Sequence, residues 1–375
     1  MTNASVYIHI PFCRSKCVYC DFASFAGMDH LMEPYISSLV TEIGHAHPMT
    51  ADTLYIGGGT PSHLPASLLE NVMGAFNNKF RLADGAEMTI EANPHSASRE
   101  MLETAKKLGM NRLSIGIQSF NDRLLKTLGR PHTANDAVDT IAQARSAGFA
   151  NISLDLIFGV PGQSAADLIA DLEKAVALSP EHLSVYQLTL EEGTPLEEMV
   201  EKGKVMMPDD DEQLAMYEST VDFLKKAGYR QYEISNFAKP GKECRHNLAY
   251  WMGDEFAGFG SGAHSFTEGV RYANPDDPED YIRDVTVGGE SGVEILTDDK
   301  DKIIDFLLMR LRLVDKALKF EEINSKFEII FEEVYNSALK NIEKHGFATI
   351  SNSGFQLTSK GLVFLDSLLL EFEKV

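Results

Sequence analysis

The stretch VYIHIPFCRSKCVYCDF, residues 6–22, decides how this chain is read. Residues 6–10 are a short apolar run with strand character. Pro11 halts it and delivers a loop carrying Cys13, Cys17 and Cys20. The fourth cysteine, Cys244, lies in a distant segment, so these three act together or not at all. Disulfide pairing fits poorly, because three is odd, the spacing is tight and no basic-then-apolar secretory pattern precedes them. Zinc, with His9 or a water completing a tetrahedron, is one alternative, although structural zinc usually takes two separated pairs of ligands. An iron–sulfur cluster is the other. A four-iron cluster on three thiolates leaves one iron with an open coordination position, which signals chemistry rather than scaffolding.

The chain has 375 residues, enough for one large α/β domain and a small second one. Its 34 basic and 56 acidic residues give a formal charge of −22, which argues against nucleic acid and against an anionic membrane surface as partners. No apolar run is long enough to span a bilayer, and no tandem repeat is visible. A soluble, cytoplasmic protein is expected, in a compartment reducing enough for an oxygen-sensitive cluster.

Strand-like and helix-like segments alternate along the first two thirds. Strands are expected at 6–10, 52–56, 87–92, 112–117, 151–158, 182–188 and 229–234. Helices fall between them at 32–44, 68–76, 98–108, 134–147, 165–177 and 212–227. This is the pattern of βαβ units and a parallel sheet, and six or seven units predict a full or partial (β/α) barrel of the TIM type. Barrel chemistry sits at the C-terminal ends of the strands. The cysteine loop, GGGTP (57–61), Glu91 and Gln118 follow successive strands, Asp155 lies within the fifth and Gln187 at the sixth, and six polar features in phase are hard to dismiss.

Each has an ordinary reading beside the chemical one. Gly57, Gly58 and Gly59 serve as a tight turn or let a zwitterionic ligand approach the backbone. Glu91 caps the next segment or binds amino or ribose groups. Arg130, in LGRPH, is a surface guanidinium or a fork for a carboxylate. Asp155 stands alone among apolar neighbours, where a lone acid is costly unless paired, and a ligand role is favoured.

The spacing CxxxCxxC, with Tyr19 before the last cysteine, resembles the signature of the radical S-adenosylmethionine (SAM) superfamily. In that family SAM chelates the open iron of a 4Fe–4S cluster. GGGTP one βα unit later is similar to its SAM-binding glycine motif. Together with IEANP, RLSIGIQSF, LGRPH and DLIFGVPGQ these segments resemble oxygen-independent coproporphyrinogen III oxidase (HemN) and its relatives over essentially the whole chain. The resemblance implies cluster ligation by Cys13, Cys17 and Cys20. It implies SAM contacts from Tyr7, Phe22, Gly58, Gly59, Thr60, Glu91, Gln118, Arg130 and Asp155.

Two departures separate the chain from the oxidase. The oxidase reads CxxxCxxCxC, and here Phe22 stands at the last position; the oxidase also carries an extension before its cysteines, whereas Cys13 comes almost at the start. The expectation is therefore against coproporphyrinogen III dehydrogenation, which stays as the alternative, enzymatic function. HNLAYW, residues 246–251, holds the sole Trp. Its ordinary reading is packing at a domain junction; the functional one makes imidazole an axial haem ligand with aromatic faces on the macrocycle. HNxxYW with CxxxCxxCxF resembles the HemW group of haem chaperones. This implies haem as ligand, His246, Tyr250 and Trp251 as haem-binding residues, and an acceptor protein as partner, which leaves transient contact with membrane haem proteins open. Cys244 is a rival axial ligand, though a solitary Cys is more often a packing residue. GFGSGAHSF, 258–266, resembles the family's glycine-rich loop, with no role assigned to His264.

Three regions are expected: the radical SAM barrel at 1–236, a linker with the HNxxYW segment at 237–296, and a small C-terminal domain at 297–375. The last shows helices at 299–313, 320–325 and 330–345 and strands at 348–352 and 354–358, a winged-helix-like pattern. It has no basic recognition helix, so a lid or docking surface is favoured over DNA binding.

Overall fold

The structure, a computed structural model, describes residues 3–288, 292–294 and 299–374. Six strands lie parallel in chain order, each paired with the next. They are β1 (Asn3–Ile10), β2 (Thr50–Gly58), β3 (Arg81–Ala92), β4 (Arg112–Gln118), β5 (Ile152–Phe158) and β6 (His182–Gln187). Crossover helices make such parallel pairing feasible. They are α1 (Met32–His45), α2 (Ala66–Lys79), α3 (Arg99–Lys107), α4 (Ala134–Ser146) and α5 (Ala165–Ala177). Helices α4 and α5 begin on capping boxes, Thr133 with Asp136 and Ser164 with Asp167, which stop the chain from helix formation earlier in each loop.

The strands alternate with period 2. Val6, Ile8 and Ile10 of β1, Leu113, Ile115 and Ile117 of β4, and Leu154 and Leu156 of β5 are buried beneath the helices. Burial of each such side chain contributes roughly 1.5–3 kcal/mol. The opposite face is polar: Thr53 and Tyr55, Glu87, Thr89 and Glu91, Arg112 and Ser114, Ser153 and Asp155, His182 and Ser184. The register sets Tyr7 beside Tyr55, Glu91 beside Ser114, and Gly116 beside Asp155. Polar side chains thus meet inside the curve of the sheet, with Thr53, Glu87, Thr89, Arg112, Ser114, Ser153 and His182 buried and Tyr55, Glu91, Asp155 and Ser184 partly exposed.

The sheet is open. Its twelve strands among the described residues run in one linear order, so the partial barrel is the form adopted. Of the expected strand at 229–234 only Arg230–Gln231 forms, and β7 (Asn236–Ala238), just beyond it, runs antiparallel to both its neighbours, that piece and β6. The few residues between Arg230–Gln231 and β7 allow only a hairpin, and parallel pairing needs a long crossover. Residues 237–296 add strands to the other edge: β8 (Phe256–Phe259) lies parallel to β1, and β9 (His264–Thr267) and β10 (Val270–Ala273) continue antiparallel. Helix α6 (Asp210–Lys226) precedes β7, and α7 (Arg245–Met252) and α8 (Pro278–Val287) complete this part. The boundary expected at 296/297 lies outside the described residues.

The C-terminal region has its own apolar core, in which Phe331 packs on Phe355 and Phe372. Helices α9 (Asp299–Arg310), α10 (Phe320–Phe327), α11 (Phe331–Val334) and α12 (Asn336–Lys344) precede the hairpin β11 (Ala348–Ser351) and β12 (Gly354–Leu357), to which Leu318–Lys319 adds a third strand. The expected helix at 330–345 is divided at Tyr335, whose backbone leaves helical geometry.

Glu42 on α1 fastens the β8 edge to the barrel. Its carboxylate accepts from Tyr281 Oη at 2.6 Å, Asn274 Nδ2 at 2.6 Å and the Gly260 amide at 2.8 Å. Glu42→Ala removes the acceptor shared by three donors, and a loss of about 2–4 kcal/mol of unfolding free energy is expected in urea denaturation. Glu42→Gln, which keeps an acceptor, should lose less than half of that.

Candidate functional site

Pro11 ends β1 on one side of the barrel mouth, and the turn after β2 is folded back against it. The Gly59 amide donates to Ile10 O at 2.8 Å and the Thr60 amide to Phe12 O at 2.9 Å. Gly58 has φ +110°, and a Cβ there would stand 2.5 Å from the His9 ring. Only glycine fits, so the turn reading of this run holds irrespective of any ligand.

The three cysteines are free and are linked by hydrogen bonds to the strand ends. Cys13 Sγ lies 3.2 Å from Thr60 Oγ1, and Asn93 Nδ2 donates to the same hydroxyl at 2.8 Å. The Thr60 proton is thereby left for the sulfur. Arg130 Nη2 donates to Asn93 Oδ1 and to Gly116 O, while its Nη1 donates to Cys17 Sγ at 3.3 Å. Cys20 Sγ is 3.5 Å from Ser24 Oγ. Burial pushes the Cys13 thiol up, with Thr60 opposing the shift.

These cysteines line a cavity of about 120 Å³ with eight of the nine residues expected to hold SAM, all but Tyr7. Glu91 accepts from Tyr55 Oη at 2.7 Å and the Gly58 amide at 3.2 Å. Burial, partly opposed by the Tyr55 hydroxyl, pushes its pKa up to about 7. Asp155 accepts from Ser114 Oγ and is raised to about 6 by burial, with Arg112 pulling the other way. Gln118 has φ 63°, and the β4–β5 register shifts beside it. A left-handed, bulged residue at a strand end costs energy and re-aims its side chain, here to the cavity. Gln118 Oε1 and Arg130 Nε are buried there without a partner.

Among the described residues no three His, Cys, Asp or Glu side chains converge so as to hold a single metal ion. A four-iron cluster asks for less convergence, since each thiolate takes its own iron. Three free thiols with donors at two of them, and unpartnered polar atoms beside two carboxyls of raised pKa, fit a cluster and a charged ligand on it.

Gln187 does not join this mouth. It is one residue out of phase with His182, Ser184 and Tyr186, and it hydrogen-bonds Gln213 instead. Sequence reasoning passed over Asn93 and His95, both in the cavity lining, and Arg112, Glu87 and His182 in the barrel interior. The alternation RLSIGIQ, EMTIE and HLSVY carries the signal for the last three.

A second cavity, about 1210 Å³, adjoins the first and shares Lys16, Phe22, Gly58 and Glu91 with it. Tyr7, Tyr250 and Trp251 line it, together with Phe306 and Met309 of α9. Phe22 is 70 % exposed, an apolar face offered to both cavities. His246 is not in the lining. It is sealed behind Tyr250, with Nδ1 at 2.7 Å from Thr53 Oγ1 and Nε2 at 2.8 Å from Tyr250 Oη, and it stacks on Tyr55. Burial lowers its pKa to about 3, so the ring is neutral. Cys244 is buried next to Glu87.

Asn93→Ala opens the chain of bonds between Cys13 and Cys17. Iron and sulfide retained after anaerobic reconstitution should fall by about half or more, with far-ultraviolet circular dichroism unchanged.

Residues 7–175 match the radical SAM superfamily and residues 297–364 the HemN C-terminal domain. The chain is 34% identical over 368 residues to heme chaperone HemW of Lactococcus lactis, covering 98% of this chain and 97% of that one. It is 36% identical over 365 residues to heme chaperone HemW of Bacillus subtilis, covering 95% and 96%, and 35% identical over 375 residues to that of Escherichia coli, covering 97% of each. The solved coproporphyrinogen III oxidase HemN of Escherichia coli, a radical SAM enzyme, superposes with a TM-score of 0.86 at 24% identity over 98% of this chain and 89% of that one, which shows a shared fold. With near-complete coverage by relatives at this identity, the chain belongs to the radical SAM superfamily and, within it, to the HemW heme chaperone family.

Proposed function

We propose that this protein binds haem and passes it to an acceptor protein, carrying a 4Fe–4S cluster on Cys13, Cys17 and Cys20 with SAM on the open iron. The observation that carries this reading is the wide aromatic cavity set directly against the SAM residues and walled in part by the C-terminal domain. At about 1210 Å³ it exceeds what most small ligands need and suits a macrocycle. Bound to the thiolates, the cluster supplies an open iron for the amino and carboxylate groups of SAM. Thr60 and Arg130 steady two of the sulfurs, Gly58 and Gly59 bring backbone close to the ligand, and Glu91, Gln118 and Asp155 offer polar atoms to it. In the same reading Tyr7 and Phe22 sit where SAM and haem adjoin.

Tyr250 and Trp251 present ring faces to the macrocycle, and His246 fixes the Tyr250 hydroxyl from behind. The four free cysteines suit a reducing cytoplasm. No helix among the described residues is long and apolar enough to cross a membrane. The three-region division, 1–236, 237–296 and 297–375, goes with this proposal: barrel, haem segment and lid.

Haem titrated into the anaerobically reconstituted protein should produce a Soret change. Trp251→Ala should weaken haem affinity by about tenfold while leaving SAM affinity in place. Unchanged haem affinity in that variant counts against the assigned cavity. Coproporphyrinogen III supplied with SAM and reductant should yield no protoporphyrinogen IX.

The SAM reading also makes a pH prediction. Glu91, with a raised pKa of about 7, is largely protonated at pH 6 and ionised at pH 8. A cationic ligand favours the ionised acid, so SAM affinity should rise from pH 6 to pH 8. Glu91→Gln should bind more weakly and lose most of that slope, as read by equilibrium binding at fixed salt.

A further inference from the structure

Haem iron needs an axial ligand, and most of the side chains around the large cavity that could serve are already engaged. Tyr7 Oη bonds to His9 Nδ1 at 3.0 Å, and His9 Nε2 donates to Ala23 O at 2.8 Å, which leaves neither nitrogen of His9 open. Tyr250 is held by His246, whose other nitrogen is held by Thr53. His264 differs. It stands at the start of β9, its residue is exposed, it lines the cavity, and its ring has no hydrogen bond or ion pair among the described residues.

The backbone under His264 is fixed by close contact. A Cβ at Gly258 would stand 2.0 Å from His264 O, so the β9 backbone can lie against β8 only because residue 258 is glycine. The same strand face carries Phe266 two residues on, also in the lining. Phe266 is paired with Phe256 across the ladder and faces Arg271 on β10, whose guanidinium lies 5.4 Å from the Phe266 ring centroid. Arg271 is itself held by Asp305, its Nη2 at 2.8 and 2.7 Å from the two carboxylate oxygens, so what this strand offers a haem is the open imidazole for the iron and the Phe266 ring beside the macrocycle.

We infer that His264 is the axial ligand to the iron of haem bound in the large cavity, with His246 acting as a positioning residue through Tyr250. This rests on the haem-binding reading above. Met309 also lines the cavity, as a weaker thioether donor to iron.

The test uses the full chain with haem and, separately, metal-free protoporphyrin. His264→Ala should lose about tenfold or more in haem affinity together with the axial-ligand signature of the Soret and visible bands, and free imidazole should restore the bands. Protoporphyrin binding, followed by fluorescence, should stay within about twofold, because no iron is present to ligate. His246→Ala should weaken haem binding with the axial-ligand bands retained, and Met309→Leu should leave them in place. The assignment is overturned if His264→Ala keeps the bands, if His246→Ala or Met309→Leu abolishes them, or if His264→Ala loses protoporphyrin as strongly as haem. A Soret band that never changes in the unsubstituted protein overturns the haem-binding reading itself. A normal band in both His264→Ala and the unsubstituted protein overturns the ligand assignment alone.

Discussion

The hydrogen-bonded path from Cys13 through Thr60, Asn93 and Arg130 to Cys17 is the constraint on which the mouth of this barrel depends. Its members come from the cysteine loop, the turn after β2, the end of β3 and the segment after β4. Loops of this kind are otherwise free to move, and without these cross-links the cysteine loop would not hold the Cys13 and Cys17 sulfurs in place. Each bond in the path is modest in net free energy, about 1 kcal/mol, but the partners are buried, so losing one leaves others unsatisfied. The glycine turn contributes by letting the Gly59 and Thr60 amides reach the β1 carbonyls, which brings Thr60 to the sulfur in the first place.

The sequence spoke clearly about whatever is local in the chain. CxxxCxxC, GGGT and the alternation of strands and helices depend on neighbours a few residues apart, and β1 to β6 fell where the periodicity put them. What escaped was set by pairing across the sheet. Gln187 looked like a strand-end polar group, yet one residue of phase turned it to Gln213. The 229–234 run read as the next strand of the sheet, yet only Arg230–Gln231 of it forms, and β7, from the residues after it, takes the place beside β6. Arg112, Glu87 and His182 were invisible as a group because their proximity exists only once the register is known, while the outward residues of the same strands were plain.

The HNLAYW segment divides in a similar way. HNLAYW identified a helix worth attention and, through family resemblance, a ligand. It did not say which of its polar atoms remains open once the helix is packed. Helix α7 places residues four apart on one face, so His246 and Tyr250 meet, and β2 supplies Thr53 to the other nitrogen. The motif histidine is packed away behind Tyr250, while His264, in the glycine-rich loop to which no role was assigned, lines the large cavity with its ring unbonded among the described residues.

The adjoining cavities also explain why the barrel tolerates acids at its centre. Glu91 and Asp155 are buried with raised pKa values, and the interior guanidinium of Arg112, with Nε and Nη1 unpartnered, only partly offsets them. Such a site is destabilising when empty at neutral pH, since a carboxyl whose folded pKa is raised contributes stability below its unfolded pKa and loses it as pH rises through the folded value. A positively charged ligand reverses this by favouring the ionised acids in place. Phe22, Gly58 and Glu91 border both cavities, so a cation bound on the small side changes charge at the floor of the large one. On the proposed reading, with SAM on the small side and haem on the large one, coupling between the two would need no moving part, only the shared wall and the low dielectric around it.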